Sequence, residues 1–323
     1  MEPSEILVVR LSAMGDILHA LPAVATLKRS FPQARLTWAV KPRWAVLLRD
    51  NPYVDRILTV ERPRWRLGEA PFDLAVDFQG LLKSALTAWM ARPARILGFD
   101  WPLLRERAAG VFYTERTASS ARHVVDLNLD LAASAGARRR VIEFPLPDFP
   151  PEGDLPASDF VLTSPAAGWE AKQWPPEYYA RLAVLLRERT GLPLAVNCGP
   201  ADRAYAEAIV REAPLGCAVL NVTSVEGLLG VTRRARAVLG VDSGPLHVAA
   251  ALGKPGVALF GPTDPARNGP YGDTFTILRA PQAPTSYQRD SRIAPSMRAL
   301  EPERVFEALE LRLAAHPILE PHP

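Results

Sequence analysis

Two periods alternate along the chain. Short apolar runs, four to six residues long, are separated by stretches whose apolar residues recur every three to four positions. Residues 6–10 read as a buried strand. Residues 17–31 follow at helical spacing, with Pro32 as the stop. Residues 35–40, 56–60 and 72–77 are further strands, and 81–91 is a helix. The pattern breaks near Arg138–Arg140, and residues 144–158 hold five prolines and several acidic residues, a composition that forms no regular element. The alternation then restarts, with strands at 160–163, 194–197, 218–221, 237–241 and 256–260. The helices of this half are 175–190, 201–213, 225–235, 246–252 and, after a long irregular stretch, 302–315.

Strand and helix alternating in this way predict parallel sheets covered on both faces. The proline-rich stretch divides the chain into domains 1–150 and 151–323. The expected fold class is α/β, with two Rossmann-like doubly wound domains facing across a cleft and a C-terminal helix crossing back over the junction. Ligands of open α/β sheets bind beyond the carboxyl ends of the strands, so that is where candidate chemistry is sought.

Composition narrows the field. Hydrophobic residues make up 48% and charged residues 23%, ordinary for a globular chain and against disorder. No apolar run reaches the ~20 residues of a membrane span. The chain enters its first strand without a basic leader, so no signal peptide and a cytoplasmic location are expected. Cys198 and Cys217 are too few for a disulfide framework and sit among apolar neighbours as buried thiols. Net charge is +3, but residues 1–150 carry 21 Lys and Arg against 16 Asp and Glu, so the first half favours an anionic partner. Zinc-finger spacing and aromatic-basic RNA signatures are missing, and no nucleic-acid partner is expected. A dinucleotide oxidoreductase is disfavoured because no Gly-x-Gly-x-x-Gly follows the first strand.

Two segments carry candidate chemistry. In Val9-Arg-Leu-Ser-Ala-Met-Gly-Asp-Ile-Leu-His19 the helix is expected to begin at about Asp16. That carboxylate is either a helix N-cap or a base that accepts a proton from a substrate hydroxyl. As a base at a helix start it would work by positioning. His19, one turn on, either faces the same cleft or, as is more usual, packs or lies at the surface. In Gly240-Val-Asp-Ser-Gly-Pro-Leu-His247 an apolar strand runs through a turn into a helix. This is either a simple helix start or an anion cradle, in which free N–H groups, the Ser243 hydroxyl and the close approach at Gly244 receive a phosphate and His247 reaches it from one turn on. Lys172, in the loop after the first strand of the second domain, is either a solvated loop lysine or, by its place next to the other cradle, the group that neutralises a leaving diphosphate. Thr263, in the turn Gly261-Pro-Thr-Asp-Pro265, either lines the same pocket or belongs to a purely structural turn. No Asp-x-Asp pair and no His–Cys cluster is present, so no metal and no cofactor are expected.

At this point the chain resembles the lipopolysaccharide heptosyltransferases, and among them heptosyltransferase I. The likeness spans nearly the whole sequence. Ser12-Ala-Met-Gly-Asp-Ile-Leu-His19, Asp77-Phe-Gln-Gly-Leu-Leu-Lys-Ser84, Lys172-Gln-Trp-Pro175, Val241-Asp-Ser-Gly-Pro-Leu-His247 and Gly261-Pro-Thr-Asp-Pro265 carry it. The resemblance implies a GT-B fold with an acceptor-binding first domain and a donor-binding second domain. It implies inverting, metal-independent transfer of a heptose from ADP-heptose to a Kdo residue of the lipopolysaccharide inner core, on Kdo-lipid A. Asp16 falls at the catalytic base and Lys172 at the lysine on the donor phosphates. Asp242, Ser243, Gly244 and His247 fall on the donor motif. Basic residues for the acceptor's carboxylates and phosphates correspond to Arg62, Arg64, Arg66, Arg105 and His123, and Gln79 and Lys83 join them from the second motif. The chain departs from the pattern at Ala167 and Gly168, which stand where hydroxyl residues are usual. Donor contacts there shift to backbone N–H groups, or the nucleotide preference differs. The region after Arg66 is short. A basic first half and a lipid-borne acceptor imply peripheral contact with the inner membrane. Two other readings stay open: a related transferase with a later core acceptor or another nucleotide sugar, and a nonenzymatic two-lobed binding module.

Overall fold

The computed structural model describes residues 2–62, 71–286 and 288–316, which form two compact units, 1–147 and 148–323. In the first unit the strands are β1 (Glu5–Val9), β2 (Arg35–Val40), β3 (Arg56–Thr59), β4 (Leu74–Asp77), β5 (Arg95–Phe99) and β6 (Glu115–Thr117). Its helices are α1 (Met14–Ser30), α2 (Leu82–Met90) and α3 (Val124–Ser134). In the second unit the strands are β7 (Val161–Ser164), β8 (Leu194–Cys198), β9 (Ala218–Val222), β10 (Ala237–Val241), β11 (Gly256–Phe260) and β12 (Phe275–Arg279). Its helices are α4 (Pro176–Thr190), α5 (Arg203–Glu212), α6 (Val225–Arg234), α7 (Gly244–Ala251), the short α8 (Pro265–Asn268) and α9 (Pro295–Arg298), and α10 (Pro302–Ala315).

Each unit holds one six-stranded parallel sheet. The orders are β3-β2-β1-β4-β5-β6 and β12-β11-β10-β7-β8-β9. Numbered within its own unit, each sheet runs 3-2-1-4-5-6, the doubly wound order in which the winding reverses at the first strand. Strand residues explain the double covering. Val161, Leu239 and Val257 belong to one apolar cluster, while their neighbours Leu162, Val238 and Ala258 belong to another. Alternate side chains point to opposite faces of a sheet, so these continuous apolar runs need a layer on each side.

β5, β6 and β12 were not among the predicted strands. β6 has only three residues, and β12 lies at a sheet edge, where buried and exposed positions interleave instead of forming an apolar run. α10, expected to cross the junction, is seated on α4, β10, β11 and β12 of the second unit.

Candidate functional site

In the first unit, the chemistry gathers beyond the carboxyl ends of β1 and β4, which are neighbours in the sheet. Arg10 follows β1 directly and is buried. Its Nη2 lies 2.6 Å from Asp16 Oδ1, and its Nη1 donates to the carbonyl of Phe78. The Arg10 carbonyl in turn accepts from Trp38 Nε1 at 3.2 Å, which fixes the backbone beneath the guanidinium. Asp16 is not the N-cap that the sequence suggested. Ala13 is extended and takes that place, the first intrahelical bond runs from Ile17 N–H to Ala13 O at 3.0 Å, and Asp16 is the third helical residue. Its Oδ2 reaches back to accept the Ala13 N–H at 3.1 Å. The carboxylate therefore has one oxygen on a guanidinium and one on a backbone amide. Its side chain nevertheless stays 47% exposed, open to a substrate.

The loop after β4 supports this arrangement. Gln79 Oε1 accepts the Leu11 N–H at 2.8 Å, tying the two loops together. Beneath it Asp77 is wholly buried and accepts from Gln79 N–H (2.8 Å), Gly80 N–H (3.3 Å), Ser84 Oγ (2.8 Å) and Tyr113 OH (2.8 Å). Gly80 makes the turn at φ +67°, a backbone region that side chains resist. Burial pushes the Asp77 carboxyl above its usual range, and the four donors only partly offset that. Burial and the neighbouring carboxylate push the Tyr113 phenol up as well.

The predicted acceptor residues have varied surroundings. Arg62, Lys83 and Arg105 are exposed. Arg64 and Arg66 lie outside the described residues. His123 caps α3, its Nδ1 accepting the Val125 N–H at 3.1 Å, and its ring meets buried His19 edge-on at 5.6 Å. His19 is thus packed, which settles it against a surface role.

In the second unit, Lys172, the α7 start and the Thr263 turn follow β7, β10 and β11, three adjacent strands of the sheet. Lys172 ends a 3-10 turn, Glu170–Lys172. Two residues on, Trp174 fixes the loop from below: it is fully buried, donates Nε1–H to the Leu300 carbonyl at 2.8 Å and stacks edge-on against Tyr179 at 4.8 Å. Lys172 Nζ lies 3.1 Å from Asp242 Oδ2, with the side chains 14% and 10% exposed, and 5.3 Å from the Trp169 ring centroid. The other Asp242 oxygen faces His247 Nε2 at 3.9 Å. Asp242 therefore holds Lys172 with one oxygen and turns the other toward His247.

Ser243 occupies the N-cap of α7 with an extended backbone but makes no capping hydrogen bond, and Pro245 fills the first turn. Its Oγ is buried without a partner, and so is the Oγ1 of Thr263. A buried hydroxyl left unpaired costs about 1–3 kcal/mol. Both lie beyond the carboxyl ends of β10 and β11, on the same edge of the sheet as Lys172, where phosphate or sugar oxygens could satisfy them. Gly168 is exposed, and a Cβ built there meets no atom within 4 Å, so the loop stands open at that point. Among the described residues no group of three or more His, Cys, Asp or Glu could hold a metal ion.

Arg10 is not among the predicted site residues. The signal was present: a charged residue at the end of an apolar strand needs a counter-ion when buried. Asp77 stands in the sequence only as a strand end within a motif.

Residues 61–295 match the profile of glycosyltransferase family 9 (heptosyltransferase). The chain is 30% identical to lipopolysaccharide heptosyltransferase 1 of Pseudomonas aeruginosa, over 96% of this chain and 98% of that protein. It is 28% identical to the enzyme of the same name from Escherichia coli K12, over 86% and 94%. Among solved structures, that of E. coli heptosyltransferase WaaC with ADP-2-deoxy-2-fluoro heptose superposes with a TM-score of 0.74 at 26% identity, covering 94% of this chain and 98% of that one.

Proposed function

The chain belongs to glycosyltransferase family 9, the heptosyltransferases, and has the GT-B fold; from that premise we propose that it transfers L-glycero-D-manno-heptose from ADP-heptose to a Kdo residue of the lipopolysaccharide inner core, with inversion and without a metal. The observation that carries this reading is the Asp16 carboxylate, held at both oxygens by Arg10 and Ala13 yet half exposed. Such a group is oriented as a base without being sealed off. Its use as a base depends on placement more than on strength.

In the proposed step, an acceptor hydroxyl oxygen bonds to the anomeric carbon of the heptose. The bond from that carbon to the phosphate oxygen breaks, and its electron pair leaves with ADP. The hydroxyl proton passes to Asp16. One base and one leaving-group cradle are the equipment of a single direct displacement, which inverts the anomeric centre. Lys172, the N–H groups at the start of α7 and the hydroxyls of Ser243 and Thr263 take the charge that builds on the diphosphate. Asp242 holds Lys172 in place and His247 beside it. Arg62, Arg105, Lys83, Gln79 and His123, with Arg64 and Arg66, receive the anionic acceptor. The proposal includes a cytoplasmic location at the membrane that carries a lipid A acceptor.

ADP release from ADP-heptose is the test, measured with and without Kdo-lipid A. Asp16→Ala should leave ADP-heptose binding near that of the parent and lower turnover by about 10²–10⁴-fold. Unchanged turnover would reject Asp16 as base. Ala167 and Gly168 favour one second reading, a different nucleotide sugar. Faster release of UDP or GDP from their sugars than of ADP from ADP-heptose would establish it.

A further inference from the structure

Eight large hydrophobic side chains are exposed among the described residues, and four of them share one face of the first unit: Leu82 (43%), Trp89 (43%), Trp101 (39%) and Val111 (67%). They are physically joined. The Trp89 ring meets Phe112 edge-on at 5.9 Å. The Trp101 ring lies on Gly110, where an added Cβ would come within 2.6 Å of it, so the absence of a side chain there creates its seat. The Leu82 N–H donates to Glu106 at 2.7 Å, binding the start of α2 to the same stretch. Beside Trp89 opens a pocket of about 610 Å³ lined by Arg92, Ile96, Val111 and Phe112 among others.

The rim of this face is cationic. Residues 82–116 hold six Lys and Arg against three Asp and Glu. One of the acids, Glu115, is neutralised by Arg95 at 2.5 and 2.9 Å, and another, Glu106, is engaged by the Leu82 amide. Lys83, Arg92 and Arg107 are exposed, and the Arg116 guanidinium lies 4.8 Å from the Trp101 ring centroid.

Exposed tryptophans with aliphatic neighbours, ringed by guanidinium and ammonium groups, suit the boundary between lipid headgroups and acyl chains. We propose that this face of the first unit docks on an anionic membrane surface, with Trp89, Trp101 and Val111 entering the headgroup layer and the surrounding cations meeting lipid phosphates. The charge favours this occupant over a second copy of the chain, because a two-fold dimer would set the same cationic rim against itself. The inference deepens the proposed reading, in which the acceptor is carried on a lipid, and rests on it for that purpose only. The binding itself needs no acceptor.

The full chain is sedimented with vesicles of phosphatidylcholine alone and of phosphatidylcholine mixed with phosphatidylglycerol. Binding is expected to the anionic vesicles only and to weaken as salt rises. Each cation near such a surface multiplies the binding constant about five-fold, so Arg92→Gln with Arg107→Gln should weaken binding roughly 25-fold. Trp89→Ala with Val111→Ala should weaken it as well. Leu311→Ala, at an exposed apolar position on α10, should have no effect. All of these variants should keep parental turnover on a deacylated, water-soluble acceptor, which also reports that they fold. Equal binding by the patch variants overturns the proposal, as does equal binding to neutral and anionic vesicles. Self-association of the parent that the patch variants abolish, or tighter binding to a single-stranded oligonucleotide than to vesicles, overturns it too. Vesicle binding without transfer to the soluble acceptor would instead count against the proposed reaction and leave the surface standing.

Discussion

The Lys172–Asp242 pair offers a measurement in which stability and ligand binding report separately. At 3.1 Å, with side chains 14% and 10% exposed, the pair has a gross attraction of about 5 kcal/mol at an effective dielectric constant of ~20. Desolvation offsets much of that. Removing a single partner keeps the desolvation cost of the other and should destabilise the second unit by about 3–5 kcal/mol. Lys172→Met and Asp242→Asn are the single changes. The double variant leaves no stranded charge, so its loss should fall at least ~2 kcal/mol short of the sum of the singles. For a unit of this size, each kcal/mol shifts the melting temperature by about 2–4 °C, which puts the single variants roughly 6–20 °C below the parent. Calorimetry on the full chain resolves the two units if they melt separately, and ADP identifies the second. Excess ADP at ~100 times its Kd should raise the parent's second transition by about 2.7 kcal/mol. That rise should largely disappear in Lys172→Met and persist in Asp242→Asn, where the ammonium remains. Single variants within ~0.5 kcal/mol of the parent, with an additive double, would refute the pairing argument. A full ADP response in Lys172→Met would refute the diphosphate contact.

Two further outcomes follow from the first unit. Arg10→Met removes the group that fixes one Asp16 oxygen, so turnover should fall about 10²-fold through misplacement while ADP affinity stays at the parental value; steady-state kinetics beside ADP titration check both. Burial raises the Asp77 carboxyl above its unfolded value, so the stability it contributes is complete below the ordinary carboxylate range, near ~4, and is lost as pH rises through the folded value. The stability of the parent relative to Asp77→Asn, read from urea unfolding, should therefore fall as pH rises from about 4, and a flat difference would contradict the assignment.

Much of this was legible in the chain itself. The strands at 35–40, 237–241 and 256–260 and the helix at 302–315 match the structure residue for residue, because continuous apolar runs and helical spacing are strong local signals. β5 escaped notice because Arg95–Phe99 begins two residues after Pro93, so its apolar core reads like the tail of a turn. The site was legible in its parts. Asp16 and Lys172 stand at equivalent places after the first strand of each sheet. What could not be read is which polar groups satisfy each other. Asp242 lies 70 positions from Lys172, and Arg10 reaches Phe78 across 68. Such pairings are set by the sheet order, and no local pattern records them.

That sheet order also governs how the protein comes into being. In each unit the first strand made is a central one. β1 must wait for β4 and β7 for β10, some 70 residues further along in each case, before its second edge is closed. Contacts so distant in sequence form slowly, and the unpaired edge stays open to wrong partners in the interval. The division of the chain shortens that exposure. When residue 147 is joined to the growing chain the first sheet has all its strands, while 176 of the 323 residues are still to be made. At ~5–20 residues per second that is a lead of roughly 9–35 seconds, during which the front half can close its sheet before the strands of the back half compete for it.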